Sequence, residues 1–242
     1  MSNKSAVIAG VGPSRGLGAA IARRFGREGF RLTVLGRNAD KLNPTVKELR
    51  DLGLTVDGII GDVTGQAVVD RAIAAAEGHA PVEAAIFNAG GNWPTPLLDI
   101  EAKRFEDFWR VNALAGLFFA QAAIRTMLPR GRGTLLFTGA SASLRGKANF
   151  ASFASAKAAL RAVAQSAARE FGPKGIHVGH VVVDGAIDGE RINTLLPQLK
   201  EQRGADGLLD PDAIAENYWM LHTQQRSAWT HEIDVRPWVE TW

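Results

Sequence analysis

Cysteine is absent from the 242-residue chain, tyrosine occurs once, and neither sign of charge forms a long run. Without cysteine there can be no disulfide bond, thiolate metal site or cysteine nucleophile. The net charge is only +3 and the basic residues are spread along the chain, so we expect no nucleic-acid binding. The 5 histidines do not stand at metal-ligand spacing, and we predict no metal site.

Segments for targeting or membrane insertion are also missing. The N-terminal apolar run is too short for a signal peptide, and no stretch of about 18 residues is wholly apolar. We therefore expect a cytoplasmic protein without a membrane partner. With 46% apolar and 22% charged residues, the composition is that of a folded globular protein.

Short β-rich runs alternate with longer amphipathic stretches along the whole chain. Apolar strands followed by helices predict a parallel sheet covered on both faces, which is a doubly wound, three-layer α/β fold of Rossmann type in one domain, 1–242. Strands are predicted at 6–11, 31–36, 55–61, 82–90, 133–139, 176–185 and 231–235. Helices are predicted at 16–29, 40–52, 66–77, 101–128, 150–171 and 211–222.

A glycine-rich turn joins the first predicted strand to the first predicted helix. Glycines in such a turn let the backbone approach a pyrophosphate, and the helix N-terminus supplies free N–H groups and partial positive charge. We predict a dinucleotide-binding loop here, with a plain tight turn as the alternative. The residues expected to bind are Gly12, Ser14, Arg15, Gly16, Leu17 and Gly18.

The second predicted strand ends at Gly36-Arg37. NAD sites usually carry an acidic residue at this point, which would repel a 2′-phosphate, whereas a guanidinium group pairs with one. Arg37, with Arg15 as a second candidate, therefore predicts NADP(H) as the cofactor. The alternative is that both arginines are ordinary surface residues.

The glycine turn resembles the coenzyme loop of the short-chain dehydrogenase/reductase family. Four further motifs follow in the family's order, and the resemblance covers nearly the whole chain. Asp62-Val63 resembles the pair that contacts adenine, and Asn88-Ala89-Gly90 resembles the family's N-A-G motif. The other two matches are Asn112, similar to the structural and catalytic Asn, and Lys157, similar to the Lys of Y-x-x-x-K. The resemblance also places the Ile187 backbone at the nicotinamide.

In that family a Tyr hydroxyl passes a proton to a carbonyl oxygen while NAD(P)H gives a hydride. The Lys lowers the Tyr pKa and binds the ribose, a Ser steadies the substrate oxygen, and the Asn holds a water molecule in the proton path. The resemblance therefore implies general acid catalysis beside a hydride-carrying cofactor, acting on a small-molecule substrate.

Two of those catalytic groups have no counterpart in this sequence. Phe153 stands where the resemblance places the Tyr, and Ala140 stands where it places the Ser, with Ser141 as its neighbour. Phenylalanine has no proton to donate, so we expect the usual carbonyl reduction to be impaired unless another group has taken over. Candidate replacements are Ser141, Ser143, Ser155, Asp184 and Asp188.

The C-terminal part departs further from the family. Residues 189–210 are predicted to form a lid over the substrate, and 211–242 form an aromatic-rich segment. Its tryptophans would line the substrate cleft, bury a subunit interface or pack in the core; they are Trp219, Trp229, Trp238 and Trp242. The resemblance also implies a homodimer or homotetramer formed by the helices near 101–128 and 150–171.

Three hypotheses for function follow. The first is an NADP(H)-dependent oxidoreductase with an altered proton donor, favoured by the complete coenzyme loop, Asn112 and Lys157. The second is an NADP(H)-binding sensor or partner subunit without turnover, favoured by Phe153 and Ala140. The third is an isomerase or lyase working on a reshaped site.

Overall fold

A single parallel sheet of seven strands is the centre of the structure, a computed structural model that describes residues 3–241. The strands are β1 (Ser5–Ala9), β2 (Arg31–Gly36), β3 (Val56–Ile60), β4 (Val82–Phe87), β5 (Gly133–Thr138), β6 (Ile176–Val183) and β7 (Glu232–Val235). Their spatial order is β3-β2-β1-β4-β5-β6-β7, and every neighbouring pair is parallel. The predicted doubly wound α/β fold is confirmed.

Helices cover both faces of this sheet. They are α1 (Leu17–Arg27), α2 (Ala39–Asp51), α3 (Gln66–His79), α4 (Ala102–Trp109), α5 (Ala115–Met127), α6 (Ala151–Phe171), α7 (Glu190–Leu195), α8 (Leu199–Arg203) and α9 (Pro211–Thr223). The apolar sides of α1, α2 and α9 pack on one face, and those of α3, α5 and α6 pack on the other. Apolar strands buried on both faces therefore form the middle of three layers.

The long helix predicted at 101–128 is interrupted. Between α4 and α5 the chain makes a π-helical turn over Arg110–Leu114, and Asn112 lies in that turn. Sequence periodicity did not reveal it, because one wide turn changes the period too little. Such turns are frequent at functional sites.

One continuous helical run, Ala102–Arg130, is long and apolar enough for a membrane span by length and composition alone. In the most apolar part of this run, 56% of the residues are buried inside the domain, as is usual for a core helix. The expectation of no membrane partner stays a prediction.

The tryptophans of the C-terminal segment lie in different surroundings. The Trp219 ring packs edge-on against Phe25 in the core, with ring centroids 5.3 Å apart, and Trp229 stacks on His177 at 4.7 Å. Trp238 is 79% exposed. Trp242, which the sequence groups with them, lies outside the described residues. Core packing thus accounts for Trp219, whereas Trp238 stays available to a cleft or an interface.

We expect Gly36→Ala to destabilise the fold by about 1–3 kcal/mol, the usual cost of overpacking. A Cβ at Gly36 would lie 2.1 Å from the Val11 carbonyl oxygen, where the glycine turn crosses the end of β2. Urea unfolding measures the change. The control is Gly78→Ala in α3, where a Cβ meets no atom within 4 Å. Helix propensity should make that variant more stable by about 0.5–1 kcal/mol. Equal stability of the two variants would contradict the close approach at Gly36.

Candidate active site

The glycine turn lies where the strand order reverses, between β1 and β4. A Cβ at Gly10 would stand 2.3 Å from the Ala89 nitrogen, and one at Gly18 would stand 2.7 Å from the Gly10 carbonyl oxygen. A Cβ at Gly12, by contrast, would meet no atom within 4 Å. The turn is therefore packed tightly underneath and open above, at the kind of crevice where α/β sheets bind ligands.

The first turn of α1 faces this opening without a side-chain cap. Gly16 is the N-cap residue in extended conformation, and no side chain accepts a hydrogen bond from the helix end. Its first N–H groups remain available to an anion, and the helix dipole favours negative charge there. Leu17 is buried and Ser14 uses its carbonyl oxygen to accept from Arg23, so both fix the loop.

Asn88 joins the glycine turn to the end of β5. Its side-chain nitrogen donates to the Gly10 carbonyl oxygen at 3.0 Å, and its side-chain oxygen accepts from the Thr138 hydroxyl at 3.0 Å. Thr138 in turn meets the Tyr218 hydroxyl at 2.6 Å. Burial raises the pKa of Tyr218, so the only tyrosine stays protonated and serves as a hydrogen-bond donor in the framework of the site.

The residues predicted to hold the adenosine end stand at the ends of β2 and β3. Arg37 is 76% exposed, and its guanidinium nitrogen lies 3.8 Å from an Asp62 carboxylate oxygen. Burial would raise the pKa of Asp62, but hydrogen bonds from Thr64 and the charge of Arg37 outweigh it and hold the pKa below its usual value. Val63 beside it is buried. The ionised Asp62 partly neutralises Arg37.

Arg15 pairs with the segment that follows β6. Its guanidinium nitrogen lies 2.8 Å from an Asp188 carboxylate oxygen, and its carbonyl oxygen accepts from the Glu190 N–H at 3.1 Å. A hydrogen bond from Lys200, with further help from Asn193 and Arg15, lowers the pKa of Asp188. An ionised carboxylate cannot donate a proton, so Asp188 is better placed to anchor the segment predicted as a lid than to act as an acid. Ile187, just before it, pairs with Leu209 at the two ends of that segment.

Asn112 and Lys157 meet beside Gly90. A Cβ on Gly90 would stand 2.7 Å from the Asn112 side-chain oxygen and 3.3 Å from the Lys157 ammonium nitrogen. The Asn112 side-chain nitrogen donates to the Phe108 carbonyl oxygen at 2.9 Å, whereas its buried side-chain oxygen has no hydrogen-bond partner. Lys157 donates to the Thr138 carbonyl oxygen at 2.8 Å. Burial lowers the pKa of Lys157 to about 8.

Phe153 lies one helical turn before Lys157 on α6, and its ring centre is 5.9 Å from the Lys157 ammonium nitrogen. Ala140 stands at the end of β5, followed by a short 3-10 helix, Ser141–Ser143. The structure thus places Phe153 near Lys157, which meets Asn112 beside Gly90.

The candidate replacement acids are differently placed. The Ser143 hydroxyl accepts from the Ala140 N–H at 3.2 Å, and the Ser155 hydroxyl donates to the Ser152 carbonyl oxygen at 3.1 Å. Asp184 is buried and paired with Arg145 at 3.3 Å and Arg236 at 3.6 Å, so its carboxylate is neutralised by two guanidinium groups. Only Ser141, half-buried at the start of the 3-10 helix, keeps a side chain that is not committed to one of these bonds.

Comparison with known proteins identifies the family. A family model described as short chain dehydrogenase matches residues 4–198, and the chain belongs to that family. Sorbitol dehydrogenase of Cereibacter sphaeroides is 31% identical over 192 residues, which cover 78% of this chain and 73% of the relative. An uncharacterized oxidoreductase of Staphylococcus aureus is 27% identical over 238 residues, 98% of each chain.

Solved structures give the same result. A short-chain dehydrogenase from Rhodopseudomonas palustris superposes with a TM-score of 0.84 at 38% identity, covering 98% of this chain and 100% of that one. A variant of actinorhodin polyketide ketoreductase, solved with NADPH, reaches a TM-score of 0.86 at 23% identity over 98% of this chain and 96% of that one. At that identity the second likeness shows the fold alone. The family is one of oxidoreductases that bind NAD(P).

Several residues that shape the site escaped the sequence analysis. Thr138 and Tyr218 join α9 to the glycine turn, and His180 and Glu232 lie behind α6. Tyr218 stands out in the sequence only as the single tyrosine. The other three leave no signal there, because a hydrogen bond between distant segments produces no local pattern.

We expect Tyr218→Phe to lower the free energy of unfolding by about 1–2 kcal/mol, because a buried hydrogen bond to Thr138 is lost. Chemical denaturation measures the loss. Thr223→Val is the control, since that exposed hydroxyl bonds only within its own helix. A loss no larger than that of the control would contradict a framework role for Tyr218.

Proposed function

We propose that this protein is an NADP(H)-dependent oxidoreductase that transfers a hydride to or from a carbonyl or alcohol carbon, or an activated alkene, with an altered proton donor. The observation that carries the proposal is the open glycine turn at the uncapped start of α1, which leads to the Asn112–Lys157 pair. The bound dinucleotide would supply the hydride.

The chain's own residues fit such a ligand. Gly12 leaves space for a pyrophosphate above the turn, and the α1 N-terminus offers N–H groups to it. Asp62 and Val63 would hold the adenine, and Asn88, Ala89 and Gly90 would line the path to the nicotinamide. Lys157 would bind the ribose, and the backbone of Ile187 would contact the carboxamide.

The choice of NADP(H) over NAD(H) depends on charge at the end of β2. Arg37 is largely exposed and has only a distant carboxylate partner at 3.8 Å, so it can turn toward a 2′-phosphate. Arg15 is 60% exposed, but it is already paired with Asp188. We therefore assign the main contact to Arg37 and a secondary one to Arg15.

Arg37→Ala should raise the Kd for NADPH about 10-fold or more, while the Kd for NADH changes little, because a charge-assisted bond to the 2′-phosphate is lost. Calorimetric titration with each nucleotide measures this. Arg169→Ala, an exposed arginine at the far end of α6, is the control. A parent protein that binds NADH as tightly as NADPH would refute the assignment.

A second function, NADP(H) binding without turnover, is favoured by the substitutions at Phe153 and Ala140. Both remove hydroxyl groups that the family resemblance assigns to catalysis, and they leave the dinucleotide cradle untouched. A protein of this kind would report on the nucleotide or serve as a partner subunit.

We expect Phe153→Tyr to increase kcat/KM for carbonyl reduction about 100-fold or more, since a phenol beside Lys157 restores a general acid. The assay follows NADPH oxidation with a panel of aldehydes, ketones and enones. Phe171→Tyr, at the other end of α6, is the matched control. If the parent is inert and only Phe153→Tyr is active, the result supports NADP(H) binding without turnover as the function of the parent. Reduction that is no faster in Phe153→Tyr would show that position 153 does not face the substrate carbonyl.

For assembly we propose a homodimer or homotetramer through the α4–α5 side. Phe105 and Trp109 on α4 are each 40% exposed, and Leu117 on α5 is 37% exposed. Apolar and aromatic side chains grouped on one helical surface are typical of subunit interfaces.

A further inference from the structure

We propose that the proton for the reaction comes from Lys157 itself, whose ammonium group lies beside Gly90 with the buried, unpartnered side-chain oxygen of Asn112 and near the Phe153 ring. This inference rests on the proposed function, in which a carbonyl substrate receives a hydride. It goes beyond it by naming the donor.

The first support is the position of the Lys157 nitrogen. Phe153, the side chain where the family resemblance places the donor, has its ring centre 5.9 Å away and one helical turn earlier. Both side chains therefore border the space in which a substrate oxygen would receive its proton. Ammonium is an acid in its own right, whereas Phe153 offers no exchangeable hydrogen.

The second support is that Lys157 has protons to spare. An ammonium group donates three hydrogen bonds; the bond to the Thr138 carbonyl oxygen uses one and the ribose would use a second, which leaves one for a substrate oxygen. The Asn112 oxygen, buried and without a partner, lies near the same point beside Gly90. A water molecule held by that oxygen would be well placed to reprotonate the amine after each turnover.

The third support is the absence of a carboxylate partner. Within residues 3–241, no Asp or Glu oxygen lies within 4 Å of the Lys157 nitrogen. Glu232, the partner of the neighbouring His180, is occupied by Arg161, through two contacts of 2.7 Å, and by His180 at 2.8 Å. A buried ammonium without a counter-ion releases its proton more readily than an exposed one, in agreement with its pKa of about 8.

The other titratable groups packed around Lys157 support the same conclusion. Hydrogen bonds from Arg161, opposed by burial and helped by His180, lower the pKa of Glu232 to about 2, so it stays ionised. Burial lowers the pKa of His180 on β6 to about 4, so its imidazole is neutral near pH 7. Neither group takes the proton from Lys157 in the neutral range.

The carbonyl carbon would gain a hydride with its two electrons from a C–H bond of the reduced nicotinamide, which would leave the nicotinamide oxidised, and the carbonyl π electrons move to the oxygen. One N–H bond of the Lys157 ammonium breaks, its electron pair stays on nitrogen, and the proton forms the O–H bond of the alcohol. The neutral amine then recovers a proton from solvent.

The test combines a titration with kinetics. In protein labelled with ¹⁵N-lysine, the Lys157 side-chain signal, assigned from its loss in Lys157→Arg, is followed across the alkaline range with and without NADPH. We expect a midpoint near pH 8 rather than near the ordinary lysine value of about 10.4. Lys157→Met gives a second assignment if the arginine variant does not fold. Lys147→Arg, at an exposed lysine, is the control.

The kinetic arm uses NADPH with aromatic aldehydes, α-diketones and cyclic enones. Because the protonated amine is the acid, kcat should fall above about pH 8. Lys157→Arg, which stays charged, should lose about 100-fold or more in kcat while it still binds NADPH, and adding Phe153→Tyr should restore reduction.

The outcomes separate the two proposals. If calorimetry detects no NADPH binding, the proposed function fails, whatever the lysine titration gives. If NADPH binds but Lys157 remains charged to about pH 10, or Lys157→Arg keeps the parent kcat, only the assignment to Lys157 is overturned. NADPH binding without reduction of any probe by the parent also overturns it and favours the binding function.

Discussion

The close approach of the glycine turn to the Asn88–Ala89 backbone is the contact on which the site depends. Only residues without a side chain fit at Gly10 and Gly18, where a Cβ would come within 2.3 and 2.7 Å of neighbouring backbone atoms. This contact fixes β1 against β4 at the reversal of strand order and leaves the α1 N-terminus open. Every residue proposed to hold the dinucleotide is positioned relative to it.

A chain of buried and partly buried hydrogen bonds connects the glycine turn to the other side of the sheet. Asn88, Thr138 and Tyr218 link the glycine turn to β5 and α9, and the Thr138 carbonyl oxygen also receives Lys157. A single threonine therefore joins the framework of the glycine turn to the lysine that we propose as proton donor. Networks of this kind hold their members rigidly, because a buried polar group that loses its partner is costly.

The proposed catalytic end of the site brings together side chains of different chemistry. Asn112 and Lys157 converge, whereas Phe153 and Ala140 offer no hydroxyl group. A buried lysine with its carboxylate neighbours engaged elsewhere is chemically different from one that assists a phenol. The same backbone can thus support a different route for the proton, since the function of a fold resides in its site residues.

Local pattern in the sequence determined the order of strands and helices, the parallel sheet and the glycine turn. It also determined the positions of Arg37, Asn112 and Lys157 in that order. Periodicity and turn chemistry act between neighbouring residues, so the sequence alone contains them. Tertiary structure alone decided the π-helical turn at Asn112, the engagement of Arg15 and Asp184 in ion pairs, and the bond between Tyr218 and Thr138. The ion pairs and the Tyr218–Thr138 bond join segments that are far apart in the chain, and the π-helical turn changes the helical period too little to be seen in the sequence. Burial and charge at such meeting points depend on packing, which no single stretch of sequence contains.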